Sequence, residues 1–309
     1  MKSSRIQNSS LLVMLMRFPE YFKDRRKPII SFEIFPPKTD KAMETLLQEL
    51  PQLVALRPDY ITVTYGAMGS TQEKTLEIAA LIRNRYDMET ACHLTCVGAS
   101  RTELDKILER IFSAGIQNIV ALRGDPPKDE NAFIPPPDGY SHANELVEHI
   151  RRFERQKGRE YFGIAVAGYP EKHLEAPSMK EDIANLKRKV EAGADIIITQ
   201  LFFDNNFFLN FVEKVRAAGV TAPIIPGLMP ILSVRQIQRI TSMCGSSIPL
   251  DLQRELDAAA DDDEKAHEIG VRQCIHQAQD LIKQGVPGVH FYVLNKSTCI
   301  RQIMEALRL

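Results

Sequence analysis

ISFEIFPPK (residues 30–38) is an alternating run of aromatic and β-branched residues that stops at a double proline. The period of two is that of a strand, with Ile30, Phe32 and Ile34 on one face and Ser31, Glu33 and Phe35 on the other. In a doubly wound nucleotide-binding sheet the first strand runs into a glycine-rich phosphate turn. Here Pro36 and Pro37 hold that place, and neither GxGxxG nor GxxxxGK[ST] occurs in the chain. A closed parallel barrel is the other way to arrange alternating strands and helices. The apolar face of this strand suits the surrounding helices and the mixed face suits the lumen, which leaves a lone carboxylate, Glu33, pointing inward.

Outward from this stretch the pattern repeats every 30 to 40 residues. Strands are expected at 29–35, 59–65, 89–96, 117–123, 161–168, 195–203, 222–228 and 289–294, eight in all. Helical spacing fills 41–56, 71–86, 101–114, 142–157, 178–192, 205–218, 233–243 and 297–307, several ending in AG or QG turn signals. The reading is α/β: a (β/α)8 TIM barrel forming one domain over residues 1–309, with residues 1–27 as an N-terminal extension. Residues 249–285 break the alternation and read as extra helices inserted before the eighth strand. Their acidic DDDE run (261–264) suits a helix N-terminus.

Composition narrows the partners. Lys and Arg total 39 against 40 Asp and Glu, a net charge of −1, so no global field draws nucleic acid or an anionic membrane. No run of about 18 apolar residues is present. Five cysteines without a CxxC pair point to a reducing cytoplasm, and no second His or Cys stands at metal-ligand spacing. LLVMLM (11–16) is shorter than a secretory core and precedes charged residues, so a docking helix is expected there.

Barrel chemistry collects at the carboxyl ends of the strands. Those ends carry Glu33, Thr64-Tyr65-Gly66, His93-Leu94-Thr95, Arg123-Gly124-Asp125 before Pro126-Pro127, Tyr169-Pro170-Glu171, Thr199-Gln200 and Asn295-Lys296. Flanked by Phe32, Ile34 and Phe35, the Glu33 carboxyl is expected to be desolvated and biased toward its neutral, proton-donating form. In MKEDIANLKRKVEAG, Asp182, Asn185 and Lys189 fall at i, i+3 and i+7 on one helix face with Arg188 beside them. That face offers a carboxylate for ribose hydroxyls and cations for a pyrophosphate. Singly, each feature has a plain structural reading: an exposed strand end, a salt-bridged turn, a core histidine, a solvated helix face. Their convergence on one end of a barrel is what points to a site.

Taken in order, SFEIFPPK, ITVTYGAMG, HLTC, NIVALRGDPP, AGYPEKHLEA, DIANLKRKVEAGADIIITQLFFD, IIPGLMPI and HFYVLN closely resemble the catalytic barrel of the methylenetetrahydrofolate reductase family. The match runs from about residue 28 to the C-terminus, and its size resembles the short bacterial form, with no sequence left for a regulatory domain. The resemblance implies a noncovalent FAD, reduced by NADH or NADPH, that in turn reduces 5,10-methylenetetrahydrofolate to 5-methyltetrahydrofolate in a ping-pong cycle. It assigns Glu33 as the acid that assists ring opening and Asp125 as the charge that steadies the cationic substrate. Gln200, Gln236 and Lys296, with Glu33, are assigned to substrate. FAD is assigned Thr64, His93, Arg123, Gly124, Asp125, Tyr140, Ser141, Tyr169, His173, Asp182, Asn185, Arg188 and Lys189. Two departures stand out: Ile240 occupies a place where some relatives carry an aromatic residue over the nicotinamide, and Lys296 a place where they carry Arg. A homo-oligomer is expected, without nucleic-acid or membrane partners. A pterin-binding methyltransferase barrel without flavin and a non-catalytic scaffold are the other readings, because the barrel alone fixes no function.

Overall fold

In the computed structural model, residues 16–23, 26–65, 72–125, 133–259 and 262–308 are described. Residues 11–15 of the apolar N-terminal segment, Gly66, the Pro126-Pro127 pair and Asp261 lie outside them.

The first described element is a single helical turn, α1 (Phe18–Tyr21), after which strands and helices alternate. In order come β1 (Ile29–Ile34), α2 (Asp40–Ala55), β2 (Tyr60–Val63), α3 (Gln72–Tyr86), β3 (Thr90–Thr95), α4 (Arg101–Ser113), β4 (Asn118–Leu122) and α5 (Ala143–Gln156). β5 (Gly163–Gly168), α6 (Met179–Glu191), β6 (Ile196–Thr199), α7 (Asn205–Ala217), β7 (Ile224–Ile225) and β8 (Gly227–Leu228) follow. The last elements are α8 (Val234–Cys244), α9 (Leu250–Asp257), α10 (Asp263–Lys283), β9 (Gly288–Tyr292) and α11 (Ser297–Leu307). Every pairing is parallel, in the order β7-β6-β5-β4-β3-β2-β1-β9-β8. The architecture is the expected TIM barrel.

One correction concerns the seventh strand, expected as a single run over 222–228. It is split at Pro226, which has no N–H to give to a ladder. Ile224 and Ile225 pair with β6, whereas Gly227 and Leu228 pair with β9. Together the two pieces serve as one bent strand that closes the ring. Gly227 is forced at the bend, since a Cβ there would sit 2.2 Å from the Thr199 carbonyl oxygen.

Alternation sets the layers. Phe32 and Ile34 are fully buried against Leu46, Leu50 and Leu53 of α2. Inside the barrel the amino-end layers are apolar, with Tyr60, Ala91, Val120, Ala165, Ile196 and Ile225 clustered around Phe18 and Tyr21. α1 thus plugs the barrel floor. The Phe18 amide donates to Asn118 Oδ1 (2.7 Å), Asn118 Nδ2 donates to the Met16 carbonyl (2.9 Å), and Phe18 meets Tyr60 edge-on at 5.1 Å between ring centroids. Gly163 makes room for the plug, because a Cβ there would lie 2.4 Å from the Phe18 nitrogen. With the floor sealed, the polar carboxyl end is the open one.

The inserted helices α9 and α10 cover a separate apolar cluster with α8, built on Leu201, Met229, Ile237, Leu252 and Ile269. Asp262 caps α10 by accepting from the Lys265 amide at 3.0 Å, as the acidic run suggested. Among the described residues no helix is long and apolar enough to cross a membrane.

Candidate active site

At the carboxyl ends of the strands lies a cavity of about 730 Å³, within the roughly 300–1,000 Å³ typical of small-molecule sites. Thirteen residues singled out from the sequence line it: Glu33, Thr64, His93, Arg123, Gly124, Asp125, Tyr169, His173, Asp182, Asn185, Arg188, Lys189 and Gln200. Ile240 lines it as well. Tyr140, Ser141, Gln236 and Lys296 do not. Tyr140 is buried, its hydroxyl held between His149 Nδ1 (2.9 Å) and Arg152 Nη2 (2.8 Å). The Ser141 amide donates to Glu145 Oε2, and the next three residues, His142, Ala143 and Asn144, reach the cavity instead. Gln236 sits in the first turn of α8, its amide donating to Ser233 Oγ. Lys296 is exposed at the N-cap of α11.

Glu33 stands where β1 meets β2 and β9, opposite Thr62 on one side and Tyr292 on the other. Three groups converge on one of its oxygens, Oε2. Thr62 Oγ1 donates to it at 3.3 Å, His290 Nε2 lies 3.2 Å away, and His93 Nε2 lies 3.1 Å away but out of hydrogen-bonding alignment. His290 is fully buried, and its other nitrogen, Nδ1, is 2.8 Å from Ser31 Oγ. Burial alone pushes the Glu33 carboxyl up, as the sequence suggested, but the charge of the nearby His93 and the hydrogen bond and charge of His290 outweigh it and hold the group well below the usual carboxylate range. The expected bias toward a neutral acid is therefore reversed. To act as an acid, Glu33 must take up its proton against that reversed bias.

His290 and Tyr292 were missed, although alternation in VHFYVL sets them on one face with Phe291 opposite. Phe291 is fully buried in the outer core, and Tyr292 donates to the Thr199 carbonyl at 2.7 Å.

The opposite wall is the α6 face. Asp182 is buried and its Oδ2 accepts from the His173 amide at 3.0 Å. Burial pushes the Lys189 ammonium down to about 8, with Asp182 pulling the other way. Its Nζ donates to the Ala167 carbonyl at 2.5 Å. Asn185 Oδ1 accepts from Arg188, which also reaches Glu181 at 3.2 Å. Between the walls, Arg123 forms a two-pronged pair with Glu175, a cavity residue not foreseen from the sequence. Gly124 turns the chain at φ +90°, where a Cβ would meet Val97 Cγ1 at 2.7 Å, so only glycine fits.

A closed parallel barrel that gathers titratable side chains from several strands into one cavity at their carboxyl ends has the layout of the barrel enzymes. The sequence profile of the methylenetetrahydrofolate reductase family matches residues 19–308, and the chain belongs to that family. Methylenetetrahydrofolate reductase (NADH) 1 of Zea mays is 42% identical over 274 residues, 86% of this chain and 46% of its own length. The chain thus spans about half the length of the plant relatives it matches. The 5,10-methylenetetrahydrofolate reductase of Escherichia coli (strain K12) is 37% identical over 280 residues, 90% of this chain and 90% of its own length. Among solved structures, an uncharacterized protein from Clostridium thermocellum that binds two copies of 5-methyl-5,6,7,8-tetrahydrofolic acid superposes with a TM-score of 0.63 at 14% identity, covering 93% of this chain and 96% of that one. At that identity the likeness is one of fold.

Proposed function

We propose that this chain reduces 5,10-methylenetetrahydrofolate to 5-methyltetrahydrofolate with electrons from NADH or NADPH, through a noncovalent FAD, the two substrates using one pocket in turn. The observation that carries this reading is the opening of the Glu33 cluster and the α6 polar face onto the same cavity. The residues present fit the cofactor. Asp182 offers a buried acceptor for sugar hydroxyls, Lys189 and Arg188 offer cations for phosphates, and Gly124 lets the backbone approach without a Cβ. His173, Tyr169, Asn185, Thr64, His93, Arg123 and Asp125 complete the cradle, with Tyr140 and Ser141 supporting its rim through the α5 N-terminus. Bound there, FAD supplies two-electron hydride chemistry.

The chain's own contribution is acid–base and electrostatic. Glu33 delivers a proton to the folate amine that leaves as the five-membered ring opens, with the imidazoles of His93 and His290 placed beside its Oε2. Asp125 is exposed at the cavity's edge, where its charge steadies the cationic form of the opened substrate. Gln200 holds its own side-chain oxygen on the Leu201 amide (2.9 Å), which leaves the Gln200 NH₂ to meet substrate. Gln236 and Lys296 lie farther out and bear on the ends of a long ligand. The cytoplasmic location and homo-oligomeric state expected from the sequence belong to the same proposal.

Purified protein should be yellow with flavin absorbance; a colourless protein that binds folate returns the methyltransferase reading. Stopped-flow traces then separate the two half-reactions. Glu33→Gln should retain FAD and its reduction by NAD(P)H while folate reduction falls by roughly 10²- to 10⁴-fold. Equal loss in both halves would refute the acid role.

A further inference from the structure

The carboxyl group of Glu33 is held asymmetrically. Its hydrogen bonds and ion pairs with the described residues fall on Oε2 and none of those hydrogen bonds falls on Oε1, although Glu33 lines the cavity. The groups facing it are Thr62 from β2, His93 from β3, and His290 and Tyr292 from β9, with Ser31 behind His290. A carboxylic acid whose one oxygen already accepts two hydrogen bonds carries its proton on the other. That division holds only if His290 presents an N–H to Oε2.

An imidazole has two tautomers, and the partner of one nitrogen selects the state of the other. His290 has no water-exposed edge to change partners, being fully buried with its ring against Tyr292 at 5.2 Å. Among the described residues its Nδ1 hydrogen-bonds to a hydroxyl, Ser31 Oγ, itself fully buried. When that hydroxyl donates to Nδ1, the proton of a neutral His290 must sit on Nε2, aimed at Glu33.

We propose that Ser31 and His290 are positioning residues that fix Oε2 of Glu33 as a permanent acceptor and so reserve Oε1 for the substrate. Resting on the reading of Glu33 as the proton donor, the arrangement works in both protonation states. Oε2 accepts from Thr62 and His290 whether Glu33 is a carboxylate or a carboxylic acid, so giving up the proton breaks no buried hydrogen bond. Ser31 does not touch the cavity and acts only through the tautomer.

Three variants and two kinds of readout test this. In ¹⁵N-histidine spectra of the cofactor-free protein, His290 should show the Nε2–H tautomer, and Ser31→Ala should lose that single form. In stopped-flow work on the flavin-loaded protein, Ser31→Ala and His290→Leu should slow the folate half-reaction by at least about tenfold, short of the loss on removing the acid itself. The NAD(P)H half-reaction should stay within about twofold. The pH profile of the folate half-reaction should move in both variants, and His290→Gln, whose amide can donate to Oε2 and accept from Ser31, should recover most of the rate. Combined with Glu33→Gln, His290→Leu should add nothing further, as expected for residues acting through one group. An Nδ1–H tautomer in the parent, unchanged folate kinetics and pH profile in Ser31→Ala, or additive losses in the double variant would overturn the proposal. If Glu33→Gln itself leaves folate reduction intact, the underlying acid assignment fails instead, and the two failures are distinguishable.

Discussion

Replacing Lys189 by methionine separates two effects that one buried ammonium combines. Burial lowers this group from an ordinary 10.5 to about 8. Each unit is worth about 1.4 kcal/mol, so holding the charge near pH 7 costs the cofactor-free fold about 3 kcal/mol. The hydrogen bond to the Ala167 carbonyl gives back about 1 kcal/mol. The folded state binds this proton more weakly than the unfolded chain does, so stability rises with pH from about 8 toward the unfolded lysine value and is lowest below pH 8. Lys189→Met is close in length and carries no charge. Its cofactor-free form should therefore be more stable than the parent near pH 7 by about 1–2 kcal/mol, a gain that closes above about pH 10. Cofactor affinity should move the other way. Loss of one charge-assisted hydrogen bond costs about 1.5–3 kcal/mol, or roughly 10- to 150-fold in Kd. Parent affinity should also fall as pH rises through 8, and the variant should lack that step. Urea denaturation of the cofactor-free proteins and flavin-fluorescence titrations across this pH range measure both. A variant less stable than the parent near pH 7, or a parent whose FAD affinity is flat above pH 8, would refute the reasoning.

Asn118→Ala leaves the Phe18 amide and the Met16 carbonyl without their partner and should cost about 2–5 kcal/mol in thermal or chemical denaturation. Phe18→Ala should cost about 3–5 kcal/mol by emptying the barrel floor, with the half-reaction rates of the folded fraction unchanged. Gly124→Ala forces a Cβ into Val97 at a positive φ, so flavin content of the purified protein should fall together with its melting temperature. Lys296→Ala should leave stability unaltered and raise the KM for folate or NAD(P)H at low salt, with the gap to the parent narrowing as salt screens the attraction.

Strand and helix positions were legible because each element carries its own period, and the double proline after β1 spoke against the rival sheet. The division of the seventh strand was not, since IIPGL reads as one apolar run until the two neighbours of Pro226 are known. The same limit governed the site. The α6 face was legible because Asp182, Asn185 and Lys189 are local in sequence, and all three line the cavity. The electrostatics of Glu33 were not legible, because its imidazole partners come from other strands, one of them 257 residues away. Flanking residues report desolvation; only the closed barrel reports the charges that outweigh it. Tyr140, given a cofactor role only by the family resemblance, sits in a buried cluster with His149 and Arg152.

The ring is shut by its oldest and youngest strands. β1 is complete by residue 34, yet its partner β9 begins only at residue 288. Until then one edge of the growing sheet is open and Ser31 and Glu33 have no His290 to meet. Such long-range closure is slow and leaves strand edges exposed during synthesis. Competence arrives in one late event instead of accumulating as the chain lengthens. A nascent or prematurely ended chain can own most of the proposed cofactor cradle, whose residues run from Thr64 to Lys189, and still lack the proposed proton donor in its assembled form. On the proposed function, flavin binding without folate reduction would be the signature of a barrel that has not finished closing.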